Sequence, residues 1–256
     1  MQNETNKRVG GRRGRPGLVL AIWGVLLVVF AALAPLAQEL LGVPFELLAL
    51  VMLAPGLASL VLLIRPWMPA PWPRARWTQV LITTAIAIVA VITFFALLAI
   101  LTGRTPTWPA SDLGAPVAIF IVVQAIGVFS EELGWRGVVQ LSGEQFARPT
   151  VVSAIAGFLF GATHLGYWSL GLGAVLTFAV TAALMSVTIT TIFVGSLWQR
   201  MVPAVVVHLG VNIALLTLTV GDEPLATSLL ALVAAVVMLG VATVITMLPK
   251  VNPGRS

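Results

Sequence analysis

The sequence predicts an all-α polytopic membrane protein, and three observations lead to that fold class. Of the 256 residues, 59% are hydrophobic and 9% are charged, whereas charged residues make up about 25% of a soluble domain. The mean hydropathy is +1.05. Long apolar runs follow one another along the whole chain, and about 20 apolar helical residues are enough to cross a bilayer.

Eight apolar runs can be counted as spans in chain order. The first follows a basic segment like that of a signal peptide, but it is too long and lacks a small-residue cleavage pattern, so we expect it to remain as a span. The third is unbroken, the fifth is short, and the sixth is long enough to tilt. The eight runs are 17–37, 46–64, 77–102, 113–138, 150–167, 172–197, 202–220 and 225–247.

The charged residues predict an orientation for these spans. With a cytoplasmic N-terminus and eight crossings, all but two of the basic residues fall on the cytoplasmic side, as the positive-inside rule requires. Arg104 falls outside and Arg136 lies within a span. Both termini are therefore expected in the cytoplasm, with 1–16 a disordered basic tail, 17–248 one transmembrane domain and 249–256 a short tail.

The net charge of +5 is accounted for by this topology. The basic residues sit in short segments between apolar runs, so we expect a lipid bilayer as the partner and no nucleic acid. The chain has no cysteine, which excludes disulfides, thiolate catalysis and zinc sites built on cysteine.

Ionisable side chains inside predicted spans cluster in three segments. The fourth run contains Glu131, Glu132 and Arg136, and the two histidines of the chain, His164 and His208, lie in the fifth and seventh runs. A charge within a membrane costs at least ~2.5 kcal/mol on insertion scales, so such groups are functional or tightly paired. We therefore expect one shared polar site, although a structural ion pair and hydrogen-bonding histidines would also fit.

Spacing indicates how these groups are arranged. Glu132 and Arg136 are four residues apart and share a helix face, where they can pair, while Glu131 is turned by about 100° and points elsewhere. Asn212 follows His208 by one turn, and Phe160 precedes His164 by one turn. At 1.5 Å per residue, Glu131 and His208 come out about 9 Å deep and His164 about 21 Å, so the depth of His164 does not fit.

These chemical groups suit amide hydrolysis. A carboxylate beside an imidazole can take a proton from water, and a second imidazole with an amide NH₂ can stabilise the oxyanion that forms. Zinc is conceivable but disfavoured, since asparagine is a poor ligand and Arg136 would place a positive charge beside the metal. We expect no metal and no other cofactor. Ser130 as a nucleophile lacks the sequence context of a serine hydrolase.

Three motifs, Glu131-Glu132-x-x-x-Arg136, Phe160-x-x-x-His164 and His208-x-x-x-Asn212, resemble the signature of the CAAX protease and bacteriocin-processing family, which includes the type II CAAX prenyl endopeptidases. The resemblance implies an intramembrane endopeptidase with a family core at about 113–248. It implies that Glu131 and His164 activate water and that His208 and Asn212 stabilise the oxyanion. Glu132, Arg136 and Phe160 would orient the site.

The resemblance also implies peptide or membrane-protein substrates and a multi-pass location, which we expect to be a bacterial cell membrane. The alternative is a non-catalytic bacteriocin-immunity or scaffold protein that keeps the polar residues for stability. An ion carrier is disfavoured, because the sequence shows neither an internal repeat nor a chain of polar relays. Composition and motifs do not predict an oligomeric state.

Overall fold

The computed structural model describes residues 14–108, 115–219 and 224–248 and shows an all-helical protein within them. No strand occurs in this part of the chain, which confirms the predicted class. The helices are α1 (Pro16–Leu41), α2 (Leu50–Leu63), α3 (Trp77–Thr102), α4 (Val117–Gly143), α5 (Pro149–Ala162), α6 (Leu172–Ile192), α7 (Leu197–Leu218) and α8 (Pro224–Met247).

Six of these helices are long and apolar enough to cross a membrane. The other two, α2 and α5, contain 14 residues each, or about 21 Å of helix. The tails 1–13 and 249–256 lie outside the described residues, as do the acidic residues at 112, 222 and 223. The count of eight spans and the cytoplasmic termini therefore stay predictions.

The helices form two groups that share α4 as a boundary. The first group contains α3, α5, α6, α7 and α8: α6 packs against α5 and α8, and α3 packs against α7 and α8. In the second group, α1 packs against α2. Helix α4 contacts α2 on one side and α7 on the other. The polar site lies at this boundary.

Small residues let the helices approach closely, as is common in membranes. A Cβ at Gly134 would lie 2.5 Å from the Cβ of Pro55, and one at Gly161 would lie 2.5 Å from the Cα of Ala179. Neither glycine has room for a side chain. Backbone contact therefore fixes α4 against α2 and α5 against α6.

Four predicted boundaries were wrong, each for a local reason. The fourth run was predicted to end at 138, but α4 continues to Gly143 because its polar residue Gln140 is paired within the protein. Its Nε2 donates to Glu144 Oε1 at 2.8 Å and to the carbonyl of Pro149 at 3.0 Å. The seven residues Leu133–Val139 within α4 form a π-helical turn.

Helix α7 begins at Leu197 rather than 202, and α6 ends at Ile192 rather than 197. Ser196 and Gln199 form a capping box, in which Gln199 Oε1 accepts the backbone N–H of Ser196 at 3.0 Å. Ser-x-x-Gln before an apolar run is a helix-start signal. Gly195, with φ of 81°, breaks the chain just before it.

The fifth run was predicted to continue to 167, but α5 ends at Ala162. A short 3₁₀ turn, Leu165–Leu170, follows it. His164 therefore lies between two elements, with φ of −76° and ψ of 80°, and not within a helix.

The loop 64–76 crosses one end of the bundle and connects several elements. Trp72 Nε1 donates to Glu144 Oε2 at 2.8 Å, and the guanidinium of Arg200 lies 3.9 Å from the Trp72 ring centroid. Gln199 accepts from the backbone of Ala75 and donates back to it. The C-terminal end of α4 and the N-terminal end of α7 thus lie at the same end of the molecule, which we call the loop end.

Candidate active site

The structure brings the two glutamates of α4 onto His208 of α7. His208 Nδ1 lies 2.7 Å from Glu132 Oε1, and His208 Nε2 lies 3.7 Å from Glu131 Oε2. All three side chains are buried, with exposed fractions of 0 to 8%. Glu131 was expected to point away from Glu132, and it faces the other ring nitrogen, although both carboxylates reach the same imidazole.

Arg136 makes the ion pair that the spacing predicted. Its Nη1 lies 3.2 Å from Glu132 Oε1, and both side chains are fully buried. The guanidinium also lies 5.1 Å from the ring centroid of Phe160. Glu132 is therefore shared between His208 and Arg136, and these contacts fix its carboxylate.

His164 is held differently from His208. Its Nδ1 lies 2.8 Å from the carbonyl oxygen of Phe160. A carbonyl can only accept, so Nδ1 carries the hydrogen and donates it. In the neutral imidazole this leaves Nε2 as a hydrogen-bond acceptor, the atom that a general base needs.

Phe160 is the centre of the site. Its ring meets His164 edge to face at 4.7 Å and His208 at 5.5 Å between centroids. Trp135 meets the same ring at 5.8 Å. One side chain thus contacts both imidazoles.

Asn212 lies one helical turn after His208 and is partly buried. Within the described part of the chain, its side chain makes no hydrogen bond to the other predicted site residues. Glu131 likewise has no hydrogen bond or ion pair with His164 among these residues. The structure therefore joins Glu131, Glu132, Arg136 and His208 directly and links His164 to them through Phe160.

The depth discrepancy is resolved by the corrected helix bounds. Glu131 lies about 18 Å along α4 from its loop end, and His208 lies about 16 Å along α7. Helix α5 runs about 20 Å from Pro149 to Ala162, and His164 follows two residues later. Only the residues 144–148 separate α5 from α4. All three side chains thus come from positions well inside the bundle.

Ser130 is occupied by the packing of α4 against α2. Its hydroxyl donates to the carbonyl of Leu53 at 3.0 Å and accepts the backbone N–H of Gly56 at 3.1 Å. Backbone groups therefore use both the hydrogen and a lone pair of the Ser130 hydroxyl. This environment is that of a structural serine.

Sequence reasoning predicted Phe160 but missed two other aromatic residues near His164. Phe178 of α6 meets the His164 ring at 5.0 Å, and Tyr167 stacks on Phe178 at 4.1 Å. An aromatic residue in an apolar run carries no signal that separates a site contact from a lipid contact. Tyr167 is the single tyrosine of the chain, and that rarity was only a weak indication of a role in the site.

The fold and this cluster define a multi-pass membrane protein with a buried carboxylate, guanidinium and imidazole site. Residues 113–214 match the family model described as type II CAAX prenyl endopeptidase Rce1-like. The matched stretch includes all three motifs and confirms the predicted resemblance to the CAAX protease family. No curated protein matches the chain. The family supports intramembrane CAAX-type endopeptidase activity in general.

Proposed function

We propose that the protein hydrolyses peptide bonds of membrane-associated peptides or proteins with water activated by Glu131 and His164. The observation that carries the proposal is the difference between the two histidines. His164 Nδ1 is committed to a carbonyl, which leaves Nε2 to accept a proton, whereas His208 Nδ1 faces a carboxylate. The neutral imidazole of His164 can act as a base, whereas His208 can donate from Nε2 when both of its ring nitrogens carry hydrogen.

The reaction can be written with these groups in place. Glu131 and His164 take a proton from water as its oxygen bonds to the carbonyl carbon. The oxyanion accepts hydrogen bonds from His208 Nε2 and the Asn212 amide. The C–N bond then breaks, the proton passes to the departing nitrogen, and the products are a carboxylic acid and an amine.

The donor role of His208 needs a hydrogen on each ring nitrogen. In that form Glu132 accepts the hydrogen bond from Nδ1, and the oxyanion can accept the one from Nε2.

We further propose that the reaction needs no metal. Arg136 occupies one side of Glu132, where it would repel a bound cation. Among the described residues, no three His, Cys, Asp or Glu side chains are grouped as metal ligands. The donor set left to a metal would include Asn212, which is a poor zinc ligand.

The test is cleavage of a panel of membrane-associated peptides by purified protein, with and without a tight chelator. Glu131→Gln and His164→Ala are expected to lower kcat by about 10²- to 10⁴-fold. Asn212→Ala is expected to lower it by about 10²- to 10³-fold. Chelation should have no effect.

A matched control is Glu46→Gln, which removes an exposed carboxylate outside the site and should leave cleavage unchanged. Full activity of Glu131→Gln would refute the proposed base. Loss of activity on chelation with recovery on adding zinc would refute the metal-free mechanism. A wild-type protein that cleaves none of the panel would favour the immunity or scaffold alternative.

We also propose eight spans with both termini in the cytoplasm of a bacterial cell, and one domain over 17–248 with the family core at 113–248. The absence of native cysteine makes single introduced cysteines unambiguous. A membrane-impermeant maleimide added to intact cells should label Thr105→Cys and not Ala70→Cys, two exposed loop positions. The reverse labelling would overturn the orientation.

A further inference from the structure

His164 stands outside regular secondary structure, so the helix does not fix its ring. Helix α5 ends two residues earlier, and the next element begins one residue later. The hydrogen bond from Nδ1 to the Phe160 carbonyl constrains one atom of the ring. That same carbonyl also accepts the hydroxyl of Thr163 at 2.8 Å, so a competing donor is present.

Two aromatic rings hold His164 from different helices. Phe160 of α5 meets it at 4.7 Å and 86°, and Phe178 of α6 meets it at 5.0 Å and 62°. Both contacts are edge to face, the geometry that aromatic pairs prefer. The imidazole therefore sits between two rings whose positions are set by packed helices.

Phe178 is in turn fixed by the turn that follows His164. Tyr167 stacks on it at 4.1 Å with an angle of 15° between the rings. The backbone N–H of Tyr167 also donates to the carbonyl of His164 at 3.0 Å. The Phe178 ring thus contacts both the His164 ring and the Tyr167 ring, and the three rings pack as one unit.

We propose that Phe178 and Tyr167 are positioning residues that keep His164 in the orientation and tautomer needed to accept a proton from water. They act through His164 and do not themselves carry the reaction. The catalytic consequence rests on the proposed function, whereas the effect on the His164 ring does not. The two parts can therefore be measured separately.

The first readout is spectroscopic. Because the chain has two histidines, ¹⁵N-histidine labelling gives two imidazole spectra, which a His164→Gln variant assigns. Wild-type His164 should be the tautomer with hydrogen on Nδ1. Phe178→Leu should give a mixture of tautomers or a mobile ring, and Phe178→Tyr should restore the single tautomer.

The second readout is kinetic. Phe178→Leu is expected to lower kcat by about tenfold with little change in KM, since a small misplacement of a catalytic group is costly. Phe178→Tyr should stay within about twofold of wild type because it keeps the ring contact. Tyr167→Leu, which removes the stack and leaves Phe178, should change both readouts in the same direction by a smaller factor.

Phe158→Leu is the matched control, since Phe158 lies on α5 and is 36% exposed. It should leave both readouts unchanged. An unaltered His164 spectrum in both Phe178→Leu and Tyr167→Leu would overturn the proposal, even if kcat fell. An altered His164 spectrum in a protein that cleaves no peptide would support the positioning role and refute the proposed function.

Discussion

The buried ion pair between Glu132 and Arg136 gives the sharpest prediction about stability. Both side chains are fully buried, and Nη1 lies 3.2 Å from Oε1. At that distance an effective dielectric constant of 20 gives an attraction of about 5 kcal/mol. Arg136→Met should leave Glu132 without its guanidinium and lower the free energy of unfolding by about 3 to 5 kcal/mol.

The reverse change should cost a similar amount. Glu132→Gln removes the carboxylate that pairs with the buried guanidinium of Arg136, while the amide oxygen can still accept from His208. The double variant removes both charges and should lie within about 2 kcal/mol of the wild type, because an apolar replacement for a buried pair is often close to neutral. The two single changes are therefore strongly non-additive.

The measurement is SDS-induced unfolding in mixed micelles, followed by the fluorescence of the eight tryptophans. Glu46→Gln, at an exposed site, should change the free energy of unfolding by less than about 0.5 kcal/mol. A double variant that loses the sum of both single losses would refute the argument, since each side chain would then act independently.

Three further predictions concern packing and hydrogen bonding. Gly134→Ala should lower the free energy of unfolding by about 1 to 3 kcal/mol, since the added Cβ would press on α2. Gly24→Ala is the control: its Cβ would meet open space, so it should not destabilise the protein. Ser130→Ala should lower stability by about 1 to 3 kcal/mol and leave peptide cleavage intact; loss of cleavage in a folded variant would argue for a nucleophilic serine. Trp72→Phe removes the hydrogen bond to Glu144 and should cost about 1 kcal/mol in the same unfolding assay; an unchanged midpoint would show that the loop contributes nothing to stability.

The helical class and the order of the helices could be read from the sequence because long apolar runs have one stable form in a bilayer. The run ends were less accurate. A hydropathy profile predicts that the span ends near the polar Gln140, but the amide NH₂ of Gln140 donates two hydrogen bonds within the protein. The start of α7 was present as a capping box at Ser196 and Gln199, which hydropathy does not detect.

The motifs predicted which residues gather but not how they pair. The contact between Glu132 and Arg136 follows from spacing along one helix. Contacts of His208 with both glutamates depend on how α4 and α7 pack, and that information is not local in sequence. The position of His164 depends on where α5 ends. The contact between Phe178 and His164 depends on α6, a helix with no ionisable residue that would mark it as part of the site.

The π-helical turn at Leu133–Val139 has a consequence for how α4 is divided. The turn sets the phase between two halves of one helix. The half before it directs Glu131 and Glu132 to α7, and the half after it directs Gln140 to Glu144 at the loop end. The π turn takes up one more residue than an α turn. If the same residues continued as α-helix, the half after the turn would be rotated by about 100°. The π turn therefore lets the two halves of α4 each keep its own partners.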